Sequence, residues 1–284
     1  MKHYLLGIFI VTIIGSCVLE ELPISVEPAP VELVVSSRIH PGEPMLILLT
    51  RTFSALEGNE DTLTADFLEK ILVSQAEVII NTSAGPVTLL HNEDIPGLYI
   101  SGELLEQNTG SLTLIVNDTL EEMNVTAHTS ILEEVKLKSF KLQQEIEDDD
   151  TTQFVIYEFD DPEEENWYVI NVIDPSRIAE SDETNPLDVS GLIYQELISD
   201  VLIENNNYMD SVRIFELAQS DTVIVYFANI SEGYYRFLDA KQRSSFTGEP
   251  VNFPTNIIDG QGYFNAHNPD WSLIEKTHLT PDEN

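Results

Sequence analysis

One cysteine, Cys17, stands in 284 residues. It leaves no second thiol for a disulfide within the chain and no partner for a cysteine-based zinc site. Positive charge is scarce as well. Thirteen Lys and Arg face 50 Asp and Glu, giving a formal charge of -37 and a pI near 4.1. Such a surface repels phosphates and anionic lipid headgroups, which argues against nucleic-acid binding. The six histidines, His3, His40, His91, His128, His267 and His278, contain no i, i+4 pair. There is no G-x-S-x-G, no H-E-x-x-H and no glycine-rich phosphate loop, so neither an enzyme nor a cofactor is expected. No internal repeat and, after residue 14, no apolar run of membrane-spanning length is found.

What is present begins at the N-terminus. Lys2 precedes an eleven-residue apolar run, Tyr4 to Ile14. That run is too short to cross about 30 Å of hydrocarbon and fits a signal peptide. It ends in Ile14-Gly15-Ser16-Cys17, which resembles the lipobox of bacterial lipoproteins. The resemblance implies removal of residues 1–16 and diacylglycerol attachment at Cys17; the alternative is an ordinary secretory signal with an incidental cysteine. Val18-Leu19-Glu20-Glu21 resembles the acidic export signal of Bacteroidota lipoproteins. Through Glu20 and Glu21 it implies an outer-membrane protein, lipid-anchored and facing the medium. Three prolines between Glu21 and Pro30 make residues 17–30 an extended tether.

From Val31 the chain changes to short β-like runs punctuated by turns. They are Val31–Ser36, Met45–Leu49, Glu77–Ile80, Val87–Leu90, Leu98–Ile100, Leu112–Val116 and Met123–Thr126. Their spacing predicts an immunoglobulin-like or related β-sandwich over residues 31–128. Thr64 to Gln75, with Phe67, Leu68, Ile71 and Leu72 at helical spacing, is read as an inserted helix. A second β-rich domain, residues 129–270, carries runs Phe154–Phe159, Trp167–Ile173, Ser211–Leu217 and Thr222–Ala228. Within it Ser231 is placed to cap a short helix over Glu232 to Arg243. Glu145–Asp150 and Asp160–Asn166 read as acidic loops, and residues 271–284 as a tail that frays from Pro269 onward. The chain is therefore mainly β.

Several motifs together carry a family resemblance. They include Val31-Glu32-Leu33-Val34-Val35, Leu48-Leu49-Thr50-Arg51-Thr52 and Ala76-Glu77-Val78-Ile79-Ile80 leading to Gly85. Further on come Gly97-Leu98-Tyr99, Phe159-Asp160-Asp161-Pro162 leading to Asn166-Trp167-Tyr168, and Leu197-Ile198-Ser199-Asp200. The fullest match is Ile230-Ser231-Glu232-Gly233-Tyr234-Tyr235-Arg236-Phe237-Leu238, followed by Pro250, Asn256-Ile257 and Gly260-Gln261-Gly262-Tyr263-Phe264. The chain resembles the Bacteroidota lipoproteins grouped under domain of unknown function 4249. The departures are its acidity and Trp167, where the family often has Tyr. The resemblance implies a setting beside TonB-dependent outer-membrane transporters and supplies no catalytic residue.

Candidate contacts are few. Calcium needs several carboxylate oxygens, and Asp148-Asp149-Asp150 and Asp160-Asp161 with Glu163-Glu164-Glu165 are the richest sources. Neither follows an EF-hand, so solvated acidic loops are the simpler reading. Trp167 and Tyr168 point to opposite faces of one strand, making one a core residue and the other a candidate ligand or partner contact. Tyr234, Tyr235, Tyr263, Phe264 and Trp271 read mainly as packing, and Asp259-Gly260-Gln261-Gly262 as a turn that needs glycine. Asp61-Thr62-Leu63, Asp118-Thr119-Leu120, Asp210-Ser211-Val212 and Asp221-Thr222-Val223 resemble Bacteroidota O-glycan acceptor sites. The expected function is an accessory or ligand-capturing lipoprotein of a TonB-dependent uptake system. Its partners are the transporter, the membrane through the anchor, and a small ligand of unknown identity. The alternative is an adhesion or surface-structural lipoprotein. Cys17→Ser is expected to abolish metabolic labelling by a palmitate analogue, and undiminished labelling would remove the lipid anchor from this reading.

Overall fold

Along Leu33–Arg38 the buried side chains are Leu33 and Val35, while Val34 and Ser36 face outward. This period of two recurs through the first half of the chain and is what a pleated strand with one dry face demands. The computed structural model describes residues 30–53, 70–147, 150–178, 191–199, 201, 206–215, 218–247 and 252–279. Cys17, Glu20 and Glu21 lie outside the described residues, as do residues 64–69 of the expected helix at 64–75; of the rest only Lys70 and Ile71 are helical. Of that segment, Leu72 forms an isolated bridge with Thr50.

Strands β1 (Leu33–Arg38), β2 (Pro44–Arg51), β3 (Ala76–Thr82), β4 (Gly85–His91), β5 (Leu98–Leu104), β6 (Gly110–Asp118) and β7 (Met123–Ile131) match the seven runs read from sequence. The second half holds β8 (Leu137–Glu147), β9 (Asp150–Asp160), β10 (Trp167–Ile173), the short helix α1 (Pro175–Ile178), β11 (Leu192–Ser199), β12 (Asn207–Ile214) and β13 (Thr222–Ile230). Helix α2 (Glu232–Thr247), β14 (Ile257–Ile258), β15 (Gln261–Tyr263) and β16 (Asp270–Leu279) complete it. The protein is mainly β.

The first sheet runs β14-β7-β6-β3-β4-β5-β2-β1-β15. Because β4 pairs with both β3 and β5, it is one continuous curled sheet rather than two hydrogen-bonded sheets facing each other. Its inward residues, among them Ile47, Leu49, Val78, Ile80, Leu114 and Val116, form a single dry core. Arg51 of β2 reaches Asp118 of β6 at 2.6 Å, so the buried carboxylate is paired as burial requires.

The two edges of this sheet, β7 and β1, are closed by residues far away in sequence. Ile257 pairs with Ala127 of β7, and four residues on, Gln261 to Tyr263 pair in parallel with Val34 to Ser36 of β1. Asn256 clamps the return: its Nδ2 donates to the His128 carbonyl at 2.9 Å and to the Phe264 carbonyl at 2.7 Å, and its Oδ1 accepts from Phe264 N–H at 2.9 Å. The turn needs its glycines. A Cβ on Gly260 would meet the Leu33 carbonyl at 2.8 Å and Val125 Cγ1 at 2.9 Å. Gly262 has φ +89°, and a Cβ there would meet the Val35 carbonyl at 2.1 Å.

The second sheet runs β11-β10-β13-β16-β8-β9-β12 and curls around its own core, which includes Val155, Tyr157, Phe159, Tyr168, Ile170 and Phe227. Tyr157 of β9 and Tyr194 of β11 both donate to the Glu196 carboxylate, Tyr157 at 2.6 Å. That contact links opposite halves of the sheet and leaves it nearly closed. β8 and β11 were not read from sequence, and the expected fraying tail is instead a strand as far as Leu279. The first half of β16 pairs with β13 and its second half with β8, so residues 270–279 lie mid-sheet. Trp271, Leu273 and Glu275 alternate with half-buried Ser272, Ile274 and Lys276, a pattern too weakly apolar to announce a central strand.

Helix α2 is longer than expected and starts where predicted. Ser231 Oγ accepts from Tyr234 N–H at 3.3 Å, which caps the first turn. Its Leu238 is buried against Val169, Ala228 and Ile230 on the outer face of the second sheet. β10 and β13 are accordingly covered on both faces, which explains their nearly unbroken apolar composition. Gly262→Ala is expected to destabilise the protein by at least about 1–3 kcal/mol, from the cost of a side chain at positive φ with the clash on Val35 added. Denaturant unfolding measures it, and an unchanged midpoint would mean that the β15 seam does not hold the first sheet closed.

Candidate functional site

A cleft of about 840 Å³ lies between the end of β1, the outer face of the second sheet and helix α2. Alternation builds its floor. Asn171 and Ile173 of β10 stand beside their register partners Tyr226 and Ile224 of β13, all on the side away from the second core. Helical periodicity builds one wall, with Tyr234, Leu238, Lys241, Gln242 and Ser245 repeating along one face of α2. The opposite wall is Ser37, Arg38, His40 and Glu43, where β1 turns into β2. Asn265, His267 and Trp271, on the segment leaving the β15 seam, complete the lining.

Amide side chains cross the floor in a chain. Gln242 Nε2 donates to Gln195 Oε1 at 3.0 Å, and Gln195 Nε2 to Asn171 Oδ1 at 2.8 Å. Aromatic rings make the end of the cleft. Trp271 meets Tyr226 edge-on with centroids 4.6 Å apart, and His267 stacks on Tyr234 at 5.9 Å. Trp271 is 47% exposed and Tyr226 only 5%, so the indole is the ring an incoming molecule meets. Burial pushes the Tyr234 hydroxyl up to about 12, and it stays a neutral phenol at physiological pH.

His40 and His267 meet at this end. Their Nε2 atoms are 3.3 Å apart, and His40 Nδ1 lies 3.3 Å from Glu43 Oε2. A carboxylate only accepts, so His40 carries a proton on Nδ1; with a neutral ring its Nε2 then accepts from His267 Nε2–H. Burial first, and the neighbouring His40 second, hold the His267 pKa well below 6.5, so its imidazole is neutral. The hydrogen bond from His40, the largest influence, lowers the Glu43 pKa despite partial burial. His267 Nδ1 is buried without a hydrogen-bond partner.

Tyr168 is wholly buried in the second core, its hydroxyl donating to the Asp161 carboxylate. Trp167 lies on the other face of β10, half-buried among the residues that pack against α2. Alternation thus separates the two rings as expected, and neither lines the cleft. Of the acidic loops, Asp160 is paired with Lys138 at 2.5 Å and Asp161 is buried beneath Tyr168, while Glu163, Glu164 and Glu165 are exposed. Asp148 and Asp149 lie outside the described residues. Among the described residues no group of three or more His, Cys, Asp or Glu is placed to hold a metal ion. The residues that sequence reasoning missed are His40, Tyr226 and His267. The two histidines are 227 positions apart, so no spacing rule brings them together.

The chain belongs to the family described as Domain of unknown function (DUF4249), whose model matches residues 20–270. No curated protein matches the chain significantly. Among solved structures it is similar to alpha-2-macroglobulin of Salmonella, at 11% identity over 93% of this chain and 16% of that one, with a TM-score of 0.23. It is likewise similar to native E. coli alpha-2-macroglobulin, at 12% identity over 88% of this chain and 14% of that one, with a TM-score of 0.22. The chain spans about a sixth of the length of these proteins, and likenesses this loose carry no argument.

The rim of the cleft at Ile173 and Ile178 depends on the carboxylate of Asp174, which is fully buried. It accepts from Ser176 N–H at 3.0 Å and Ser176 Oγ–H at 2.7 Å, and across the loop from Gln219 N–H at 2.6 Å. Burial pushes this carboxyl up, but hydrogen bonds from Ser176, Gln219 and Ser220 together outweigh it and leave the pKa below 3.8. A depressed folded pKa means stability present above the unfolded value and lost as pH falls through the folded one. Asp174→Asn is therefore expected to cost about 1–3 kcal/mol near pH 7. The gap from the unaltered protein should narrow below 3.8, as urea unfolding across that range would show; a gap independent of pH would exclude the charged carboxylate as its source.

Proposed function

We propose that this protein captures a small ligand in the cleft as a surface-exposed outer-membrane lipoprotein, an accessory of a TonB-dependent nutrient uptake system. The observation that carries the reading is the cleft itself. Its volume of about 840 Å³ falls in the usual range for small-molecule sites, and it combines aromatic faces with a few convergent polar groups, as such sites do. Its charge differs from the rest of the chain. Although acids outnumber bases 50 to 13, Arg38 and Lys241 reach it from opposite walls, and Glu43 is the one acid lining it among the described residues. No catalytic role is assigned, and binding suffices.

The setting rests on the Cys17 lipobox, on Glu20 and Glu21, and on the family resemblance. A lipid anchor with a tether confines the domain to the bilayer surface and raises its effective concentration against any membrane-embedded partner. For residues 31–128 the order β1-β2-β5-β4 followed by β3-β6-β7 supports an immunoglobulin-like reading, in which those groups are the ABED and CFG sheets joined through β4. The second, β-rich domain of this reading, residues 129–270, then lends residues 257–263 to the first sheet and continues through β16 to Leu279. The acidic surface calls for positively charged transporter loops, so association should weaken as salt rises. Affinity purification from detergent-solubilised outer membranes is expected to recover a TonB-dependent transporter at low salt and less of it at high salt. Recovery of none at either, even after crosslinking, would overturn the transport reading in favour of a surface-structural or adhesive role.

A further inference from the structure

The facing histidines of the cleft have the geometry of a metal-binding pair. Two imidazole nitrogens bound to one tetrahedral zinc ion at about 2.0–2.1 Å are about 3.3–3.4 Å apart, and His40 Nε2 and His267 Nε2 are 3.3 Å apart. Both belong to the seam where the β1 end meets the segment after β15, and the His267 N–H donates to the Ile39 carbonyl at 3.2 Å. Their backbones are thereby held in register. His40 also has the outer partner that metal-binding histidines use, a carboxylate on its other nitrogen: Glu43 Oε2 lies 3.3 Å from Nδ1. That contact fixes the ring and leaves the Nε2 lone pair facing His267.

We propose that His40 and His267 bind one divalent transition-metal ion of the zinc or copper type through their Nε2 atoms, with Glu43 positioning His40. Imidazole donors suit these ions, whereas calcium and magnesium want oxygen. Binding replaces the hydrogen bond between the rings: the His267 proton leaves Nε2 and the ring returns to neutrality by taking a proton on Nδ1, so the pair keeps its charge. The remaining coordination positions face the cleft and are filled by water or by a donor atom of a molecule lodged there. A two-histidine site of this kind is open rather than structural, which matches its place in a cleft wall. The proposal stands apart from the transporter setting, since it concerns only what these two rings hold.

The experiment is titration of the purified protein with Zn2+ in excess Mg2+, which occupies surface carboxylates, followed by the same titration of His40→Ala, His267→Ala and Glu43→Gln. One ion per chain is expected. Either histidine variant should lose that site, and Glu43→Gln should weaken it by about 10–100-fold. Because His267→Ala removes a buried ring and with it packing that supports the fold, Cu2+ bound to the unaltered protein provides a second reading by electron paramagnetic resonance. Coupling to two imidazole nitrogens is expected, where a lone His91 or His128 would give one. Stoichiometric binding unchanged in both histidine variants, no Zn2+ site in the presence of Mg2+, or a Cu2+ spectrum without two-nitrogen coupling would each overturn the proposal.

Discussion

The structure depends on one backbone approach, the passage of Gly262 against Val35. Without β14 and β15 the curled run of seven strands from β7 to β1 has two open edges, and open edges are exposed to wrong pairing. Here residues 257–263 lie between those edges and pair with both. The approach is so close that no side chain fits at Gly262, and Gly260 is pressed between Leu33 and Val125. The same stretch then delivers Asn265 and His267 to the cleft and becomes β16 of the second sheet. A short run of chain is thus shared by both cores, and the halves of the protein are stitched by it rather than merely joined end to end.

The cleft follows from that sharing. α2 packs on the outer face of β10 and β13, and Tyr234 and Phe237 on the helix each meet Tyr263 of the seam at a tilt, with centroids 5.4 Å apart. The helix is therefore held by the second sheet beneath it and by the seam beside it. The gap left along its other flank, against the β1–β2 corner, is the cleft. Its lining comes from the two sheets, the helix and the seam, so its shape reports the assembled fold and not any one element.

Acidity is handled by the same economy. In a chain with 50 acids, the buried ones among the described residues each have a defined partner. Asp118 takes Arg51, Asp161 takes the Tyr168 hydroxyl, and Asp174 takes the backbone donors of α1 and the loop before β13. Each arrangement replaces the water that a buried carboxylate loses. Exposed acids such as Glu163, Glu164 and Glu165 raise solubility and repel other anions, while among the described residues the cleft keeps only Glu43, whose carboxylate is engaged by His40.

Local pattern determined a good deal. The period-two runs from Val31 to Thr126 became β1 to β7, Ser231 began a helix, and the glycines of Asp259-Gly260-Gln261-Gly262 marked a turn that tolerates no side chain, because each of these is decided by neighbours within a few residues. Alternation likewise separated Trp167 from Tyr168. What only the tertiary structure decided is where those pieces meet. β16 reads as polar because its neighbours β13 and β8, and not its own side chains, supply its place mid-sheet. The Asp174 carboxylate looks like any other acid until Gln219 folds back on it. His40 and His267 are isolated residues in the sequence and face each other only because the seam brings residue 267 beside Ile39, a juxtaposition set by packing at long range, which no local spacing encodes.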